Sequence, residues 1–133
     1  MTIEPGRQIG SFLSAHHVMS LAILGPGGPH ATSLFYDCDG LAPLWPSDPG
    51  TQHSREIEAD PRVAATVAPD YADLAAIRGV RVTGAAPWAI GDGAVEFREA
   101  NVRTAVYRLH PARIVLIDNT KGFGHKETLK LSP

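Results

Sequence analysis

The most informative stretch of the sequence is Trp45–Arg55, WPSDPGTQHSR, in which a strand leads into a tight turn and the turn opens a helix. The first backbone N–H groups of a helix have no internal partner, and together with the helix dipole they favour an anion. Hydroxyl and cationic side chains gather at the same place: Ser47, Thr51, His53, Ser54 and Arg55. The segment therefore predicts a binding site for a phosphate monoester.

A simpler interpretation is that Thr51 or Ser54 only caps the helix, while His53 and Arg55 are solvated. Capping residues precede most helices, so the chemistry of the segment by itself favours this simpler interpretation. The segment is not a P-loop, because it lacks the glycine-lysine pattern.

Before this segment, the pattern of apolar residues predicts a short helix and three strands, which are joined by turns. Ile9, Phe12 and Leu13 fall on one face of a helix over Arg7–Ala15. The three predicted strands are Val18–Leu24, His30–Tyr36 and Leu41–Trp45. A hairpin turn is predicted over Asp37–Gly40, between the second and third strands. Pro43 and Pro46 mark the third strand as an edge strand or a strand that ends early.

After the segment, short strands again dominate. The pattern predicts a helix over Thr51–Ala59, a helical turn within Glu96–Thr104, a C-terminal tail over Asp118–Pro133 and a bulge at Gly84. The predicted strands are Arg62–Ala68, Ala76–Ile90, Tyr107–Leu109 and Arg113–Ile117. Six or seven short strands with few helices predict a mainly β fold, an antiparallel barrel with short accessory helices in a single domain over residues 1–133.

Composition excludes several classes of protein. A net charge of −2 without a run of Lys and Arg argues against nucleic-acid binding. No signal peptide or membrane-spanning stretch is visible, so we expect a cytoplasmic protein. Cys38, the single cysteine, lies between two aspartates and predicts an unreactive thiol. No metal site is expected, because His16 and His17 would point to opposite faces of a strand and His30 stands apart.

Three segments together resemble the pyridoxamine 5'-phosphate oxidase-like superfamily of FMN-binding split barrels, in an uncharacterised bacterial branch. In the first segment, Trp45-Pro46-Ser47 and Thr51-Gln52-His53 are similar to the flavin-phosphate motif, and Asp60-Pro61 closes the helix. The other two are Ile77–Gly84 and Asp118–Lys126. The resemblance runs from about Phe12 to Lys126, and it implies a split β-barrel.

The resemblance also implies a cofactor, FMN, held at the interface of a homodimer. The cofactor-binding residues it implies are Ser33, Trp45, Pro46, Ser47, Thr51, Gln52, His53, Ser54, Arg78 and Lys121. The function expected is that of an FMN-dependent oxidoreductase with an unknown small-molecule substrate, and no residue is singled out as an acid or base. The alternative is a module that binds or senses flavin, deazaflavin or haem without turnover.

Some of these assignments have alternatives. The Arg-Lys pair typical of the superfamily appears here as Gln52-His53, which weakens the positive charge, and Arg55 or Arg78 could compensate. Arg78 could equally form a salt bridge with an acidic residue. Trp45 and Trp88 could flank a flavin ring or fill the core. Lys121 or Lys126 could reach the phosphate across a dimer, or the C-terminal segment could be a solvated tail.

Overall fold

The structure is a computed structural model that describes residues 5–87, 89–92 and 105–131. Within these ranges it contains two α-helices and ten β-strands. In chain order they are α1 (Pro5–Ser14), β1 (Val18–Gly25), β2 (Gly28–Phe35), β3 (Asp37–Asp39), β4 (Ala42–Ser47), α2 (Gln52–Ala59), β5 (Arg62–Val67), β6 (Arg78–Ala85), β7 (Ala89–Asp92), β8 (Ala105–Arg108), β9 (His110–Asp118) and β10 (Lys126–Lys130).

The strands form two antiparallel sheets around one core. The larger sheet has six strands in the order β10-β9-β6-β5-β1-β2, and the smaller has four in the order β3-β4-β8-β7. The core between them is almost entirely apolar and includes Leu21, Trp45, Val82 and Leu116. This confirms the mainly β split barrel with short helices, although the strands outnumber the six or seven predicted.

Local periodicity explains the first elements. In α1, Ile9, Phe12 and Leu13 are buried, as the helical spacing predicts, and the helix covers one end of the barrel. Residues of β1 alternate strictly between the core and the outer face. The hydroxyl of Tyr36 donates to the carbonyl of Leu13 at 2.6 Å and ties α1 to the end of β2.

The predicted hairpin turn over Asp37–Gly40 is wrong. Asp37–Asp39 pairs with Ala42–Leu44 as β3, and the turn is made by Gly40 and Leu41. Gly40 has a φ of 62°, a left-handed conformation that a tight two-residue turn needs and that glycine adopts without strain. The acidic residues are therefore left in extended backbone.

The prolines of the third strand predict an edge strand or a strand that ends early, and both alternatives are wrong, because β4 lies between β3 and β8 and continues past Pro46 to Ser47. The carbonyl of Pro43 accepts from the Leu109 N–H at 3.0 Å, so its backbone faces the β8 side. Alternate residues of a strand face opposite neighbours. The ring nitrogen of Pro46 therefore faces the other side, where the three-residue β3 has already ended.

The long strand predicted over Ala76–Ile90 is divided between the sheets. Its first part is β6 in the larger sheet, and its last part is β7 in the smaller one. The predicted irregularity at Gly84 is confirmed, because the pairing of β6 with β9 shifts register between Thr83 and Gly84. Pro87 stands in the crossing between sheets, where no ladder N–H is required.

At the C-terminus, the predicted tail contains a 3-10 turn over Asn119–Lys121 and the strand β10, which pairs with β9. His110 and Pro111, which fall between the strands predicted over Tyr107–Leu109 and Arg113–Ile117, are part of β9. Trp88 and the helical turn predicted within Glu96–Thr104 lie outside the described residues. In the part of the chain that the structure describes, neither helix has the length and apolar character needed to cross a membrane.

Candidate functional site

The turn before α2 is held by the side chain and carbonyl of Asp48. The Gly50 N–H donates to Asp48 Oδ1 at 2.8 Å, and the Thr51 N–H donates to the Asp48 carbonyl at 3.0 Å. Thr51 is the N-cap, and its Oγ1 accepts from the Ser54 N–H at 3.3 Å. The predicted helix start is confirmed, and so is the capping role of Thr51.

Four side chains converge beside this cap, and we call Ser47, Thr51, His53 and Ser54 the hydroxyl cluster. Ser47 Oγ lies 2.7 Å from His53 Nε2 and 3.0 Å from Ser54 Oγ. The Thr51 hydroxyl lies 2.8 Å from Ser54 Oγ and 3.3 Å from His53 Nε2. Ser47 and Ser54 are buried, whereas Thr51 and His53 are partly exposed. The cluster is therefore open to solvent from the Thr51 and His53 side.

The cluster has few fixed charges. Burial lowers the pKa of His53, the nearby His30 lowers it further, and Glu56 opposes both effects. The imidazole is therefore mainly neutral at neutral pH. The Gln52 and His53 amides have no hydrogen-bond acceptor within the described chain, as expected for the first turn of a helix. The groups available to bind an anion here are hydroxyls, backbone amides and one imidazole.

Gln52 points away from the hydroxyl cluster. Its Nε2 donates to Glu56 Oε1 at 2.7 Å, along the helix, and Glu56 Oε2 is hydrogen-bonded to His30 Nε2. Both hydrogen bonds lower the pKa of Glu56, and the bond from His30 lowers it more strongly. The Glu56 carboxylate is buried against Gly25. A Cβ at Gly25 would lie 2.5 Å from Glu56 Oε2, so a larger residue here would displace the Glu56 carboxylate from its present position. The Gln52–Glu56–His30 network thus fastens α2 to the β1–β2 hairpin.

Trp45 and Pro46 precede the cluster in β4. The Trp45 indole is fully buried and stacks on Tyr107 with ring centroids 5.9 Å apart. Its Nε1 has no hydrogen-bond partner within the described residues. Trp45 therefore packs in the core behind the cluster, and its contact with a cofactor stays a prediction. Pro46 is paired with Val106 of β8.

The other predicted site residues lie apart from the cluster. Ser33 is exposed on the outer face of β2, opposite Ser20 of β1. Arg78 begins β6 at the α1 end of the larger sheet. The pairing of β2 with β1, β1 with β5 and β5 with β6 places Arg78 six residues from the level of His30 along the strand direction. At ~3.3 Å per residue, this is a separation of about 20 Å. Lys121 lies at that same end, 3.4 Å from Gln8 Oε1.

Two of these residues have ionic partners. Arg78 Nε lies 3.6 Å from Asp118 Oδ2, so the salt bridge considered as its alternative role is present. Lys121 Nζ lies 3.3 Å from Glu127 Oε2 of β10. Arg55, the other candidate for compensating charge, lines an open cleft with Gln52 and Glu56 and makes no ion pair within the described residues.

Glu56 and His30 were not among the residues predicted for the site. The spacing of Gln52 and Glu56, four residues apart on one helix, was a visible signal for their contact. His30 is 26 residues from Glu56, and no local pattern relates them. In the described part of the chain, no three His, Cys, Asp or Glu side chains are grouped as metal ligands.

Comparison with known proteins places this geometry in a family. The pyridoxamine 5'-phosphate oxidase family model matches residues 6–116. A UPF0306 protein of Serratia proteamaculans is 32% identical over 136 residues, which cover 94% of each chain. Because the family model matches most of the chain, the relationship does not depend on the Trp45–Arg55 segment alone.

Solved structures share the fold at lower identity. A haem-binding protein from Mycobacterium smegmatis has a TM-score of 0.75 and 21% identity, covering 98% of this chain and 60% of its own. An FAD-binding protein from Mesorhizobium loti has a TM-score of 0.66 and 19% identity, covering 84% of this chain and 90% of its own. The resemblance found in the sequence is confirmed: the chain belongs to the pyridoxamine 5'-phosphate oxidase family and has its split-barrel fold.

Proposed function

We propose that this chain binds FMN and acts as an FMN-dependent oxidoreductase. The observation that carries the proposal is the hydroxyl cluster, whose four side chains meet at the start of α2 and are linked by contacts of 2.7–3.3 Å. The alternative function is a flavin- or haem-binding module without turnover, since a haem-binding protein shares the fold.

The cluster fits a phosphate monoester in its chemistry. Each hydroxyl both donates and accepts, so the hydrogen bonds within the cluster can be exchanged for bonds to phosphate oxygens. Thr51 and His53 are on the accessible side, and the Gln52 and His53 amides add donors at the positive end of the helix dipole. Hydrogen bonds to a charged group are the stronger kind, which supports binding without an Arg-Lys pair.

The roles of this chain's residues would be to bind and orient the cofactor. Thr51, His53 and Ser54 would hold the phosphate, and Ser47 would fix the His53 ring through their 2.7 Å hydrogen bond. The Gln52–Glu56–His30 network would keep α2 in place. A bound flavin would supply the redox chemistry, namely hydride transfer from a reduced donor and onward electron transfer.

We propose a homodimer as the assembled form. The outer face of β1 and β2 carries small and apolar side chains, and the cross-strand partners Val18 and Phe35 are 49% and 70% exposed. Exposed apolar patches of this kind favour association. A second chain on this face would also bring further residues toward the cofactor, and Lys121 and Lys126 are the candidates for that contact.

An absorption spectrum after FMN addition and desalting tests cofactor binding. We expect a retained two-band flavin spectrum from the wild type. The Thr51→Ala, His53→Ala double variant should bind FMN at least about tenfold more weakly, because two hydrogen bonds to a charged phosphate are lost. The matched control is Thr128→Ala, an exposed threonine on β10, which should bind like the wild type. Full FMN affinity in the double variant would show that the cluster is not the phosphate site.

Turnover separates the two candidate functions. Steady oxidation of NADH or NADPH by the FMN-loaded protein supports the oxidoreductase. Stable FMN binding without oxidation of either donor supports the non-catalytic module. A protein that retains no FMN but develops a Soret band with added haem would contradict the proposed cofactor.

A further inference from the structure

A second cleft lies at the opposite end of the larger sheet, between α1 and the start of β6. Its volume is about 480 Å³. The lining combines cationic, polar and aromatic side chains: Arg7, Gln8, Ser11, Phe12, Ala15, His16 and Arg78. Arg7 and Ser11 are four residues apart on one face of α1, and Ala15 directly follows the end of the helix, so the cleft runs along this face of α1.

The Arg78 guanidinium is held in this cleft without a hydrogen bond. Its Nε is buried and lies 3.6 Å from Asp118 Oδ2, too far for a hydrogen bond. The other Asp118 oxygen is bonded to Thr120, through its N–H at 3.0 Å and its hydroxyl. The guanidinium carbon lies 5.5 Å from the centre of the Phe12 ring, a cation–π arrangement. The structure therefore positions Arg78 but leaves its donor groups unused.

This arrangement differs from a purely structural ion pair. An arginine that serves a buried carboxylate normally presents its planar fork to both oxygens. Here Asp118 is 3% exposed, whereas the Arg78 side chain is 41% exposed on the cleft side. Asp118 thus provides a counter-charge behind the guanidinium, and the terminal nitrogens remain available to a ligand.

The neighbouring groups suit an oxyanion. Arg7 is exposed, and neither its guanidinium nor the Ser11 hydroxyl has a partner within the described residues. His16 Nδ1 lies 2.8 Å from the Phe12 carbonyl, which can only accept, so Nδ1 carries the proton and Nε2 is not used by this bond. Lys121, paired with Glu127, lies at the edge beside Gln8. Asp118 is the carboxylate directly behind the site.

We propose that this cleft is a second ligand site, separate from the hydroxyl cluster, which binds a small molecule through its carboxylate or phosphate group. Arg78 and Arg7 bind the oxyanion, and Ser11 donates a further hydrogen bond. The separation of about 20 Å along the sheet excludes one phosphate group from touching both sites in one chain. The proposal does not depend on FMN binding.

Arginine side-chain NMR tests the site directly. The Nε–Hε resonances are followed while sodium phosphate or sodium acetate replaces sodium chloride at constant ionic strength. The Arg78 resonance is expected to shift and saturate with at least one probe, and the tighter probe identifies the preferred oxyanion. Arg7→Gln should weaken this binding about fivefold or more, since one charge-assisted contact is lost. Arg78→Lys should weaken it similarly, because lysine lacks the planar fork.

The matched control is Arg81→Gln, on the same strand but exposed on the opposite face, and it should leave the affinity unchanged. If Arg78→Lys does not fold, Arg7→Gln decides, because Arg7 is exposed and makes no ion pair. Shifts that never saturate, or an equal loss in Arg81→Gln and Arg7→Gln, would overturn the proposal. Displacement of the anion from Arg78 by FMN would also overturn it, because the cleft would then belong to the cofactor site.

Discussion

At the residue scale, the proposed phosphate site would depend on His53 rather than on a permanent cation. The ring is held between Ser47 and Thr51, and burial together with His30 keeps its pKa below the ordinary value. Gln52 does not replace the missing charge, because its amide is used by Glu56. Without a fixed cation, the charge of the proposed phosphate site would depend on the protonation of His53 and therefore on pH.

The lowered pKa of His53 predicts that the protein without ligand becomes less stable as the pH falls through the ordinary histidine range. The unfolded chain takes up a proton there before the folded chain does, so protons favour unfolding. Urea unfolding between pH 7.5 and 5 measures the effect. His53→Gln should show a smaller loss of unfolding free energy over this interval. Equal pH slopes in both proteins would contradict the assignment.

At the element scale, Gly84 allows β6 and β9 to approach each other where the register shifts. A Cβ on Gly84 would lie 2.0 Å from the carbonyl oxygen of His110 and 3.1 Å from Leu109 Cδ2. The obstacle is backbone, which cannot rotate away as a flexible side chain can. Glycine is therefore required here by close approach and not by an unusual dihedral angle.

Gly84→Ala is accordingly expected to lower the free energy of unfolding by about 3 kcal/mol, in the upper range for overpacking a dense interior. Denaturant unfolding monitored by tryptophan fluorescence measures the change. Gly27→Ala is the matched control: no atom lies within 4 Å of its added Cβ and its φ is not left-handed, so the change should stay within about 0.5 kcal/mol. A similar cost at both positions would show that the register shift is not responsible.

At the scale of the whole molecule, the two predicted halves of the cofactor site lie at opposite ends of the larger sheet. The hydroxyl cluster adjoins the β1–β2 hairpin, whereas Arg78 and Lys121 adjoin α1. Within one chain they cannot hold the same phosphate. In the proposed homodimer, formed through the outer face of β1 and β2, residues of a second chain would be able to contribute.

The dimer proposal predicts that Phe35→Glu yields a monomer by light scattering at a concentration where the wild type is a dimer. A buried, unpaired carboxylate in place of an apolar contact opposes association. Leu74→Glu is the control, since Leu74 is also an exposed apolar residue, at 60%, but lies in the turn before β6. A monomeric wild type that retains FMN would contradict the dimer.

Local pattern was sufficient for much of the fold and for part of the candidate site. The alternation in β1, the helical spacing in α1 and the N-cap at Thr51 were all predictable, because each depends on residues within one or two turns or a few strand positions. Ser47, Thr51, His53 and Ser54 were predicted together for the same reason: they lie within eight positions of one another along the chain.

Tertiary structure alone decided the contacts between distant segments. It divided the predicted strand over Ala76–Ile90 between two sheets and paired Arg78 with Asp118, 40 positions later. It also turned Gln52 away from the cluster by placing Glu56 against His30. Periodicity states which face of a strand is apolar but not which strand lies beside it. The partners of charged side chains therefore follow from the closure of the barrel, which brings together residues that no local pattern relates.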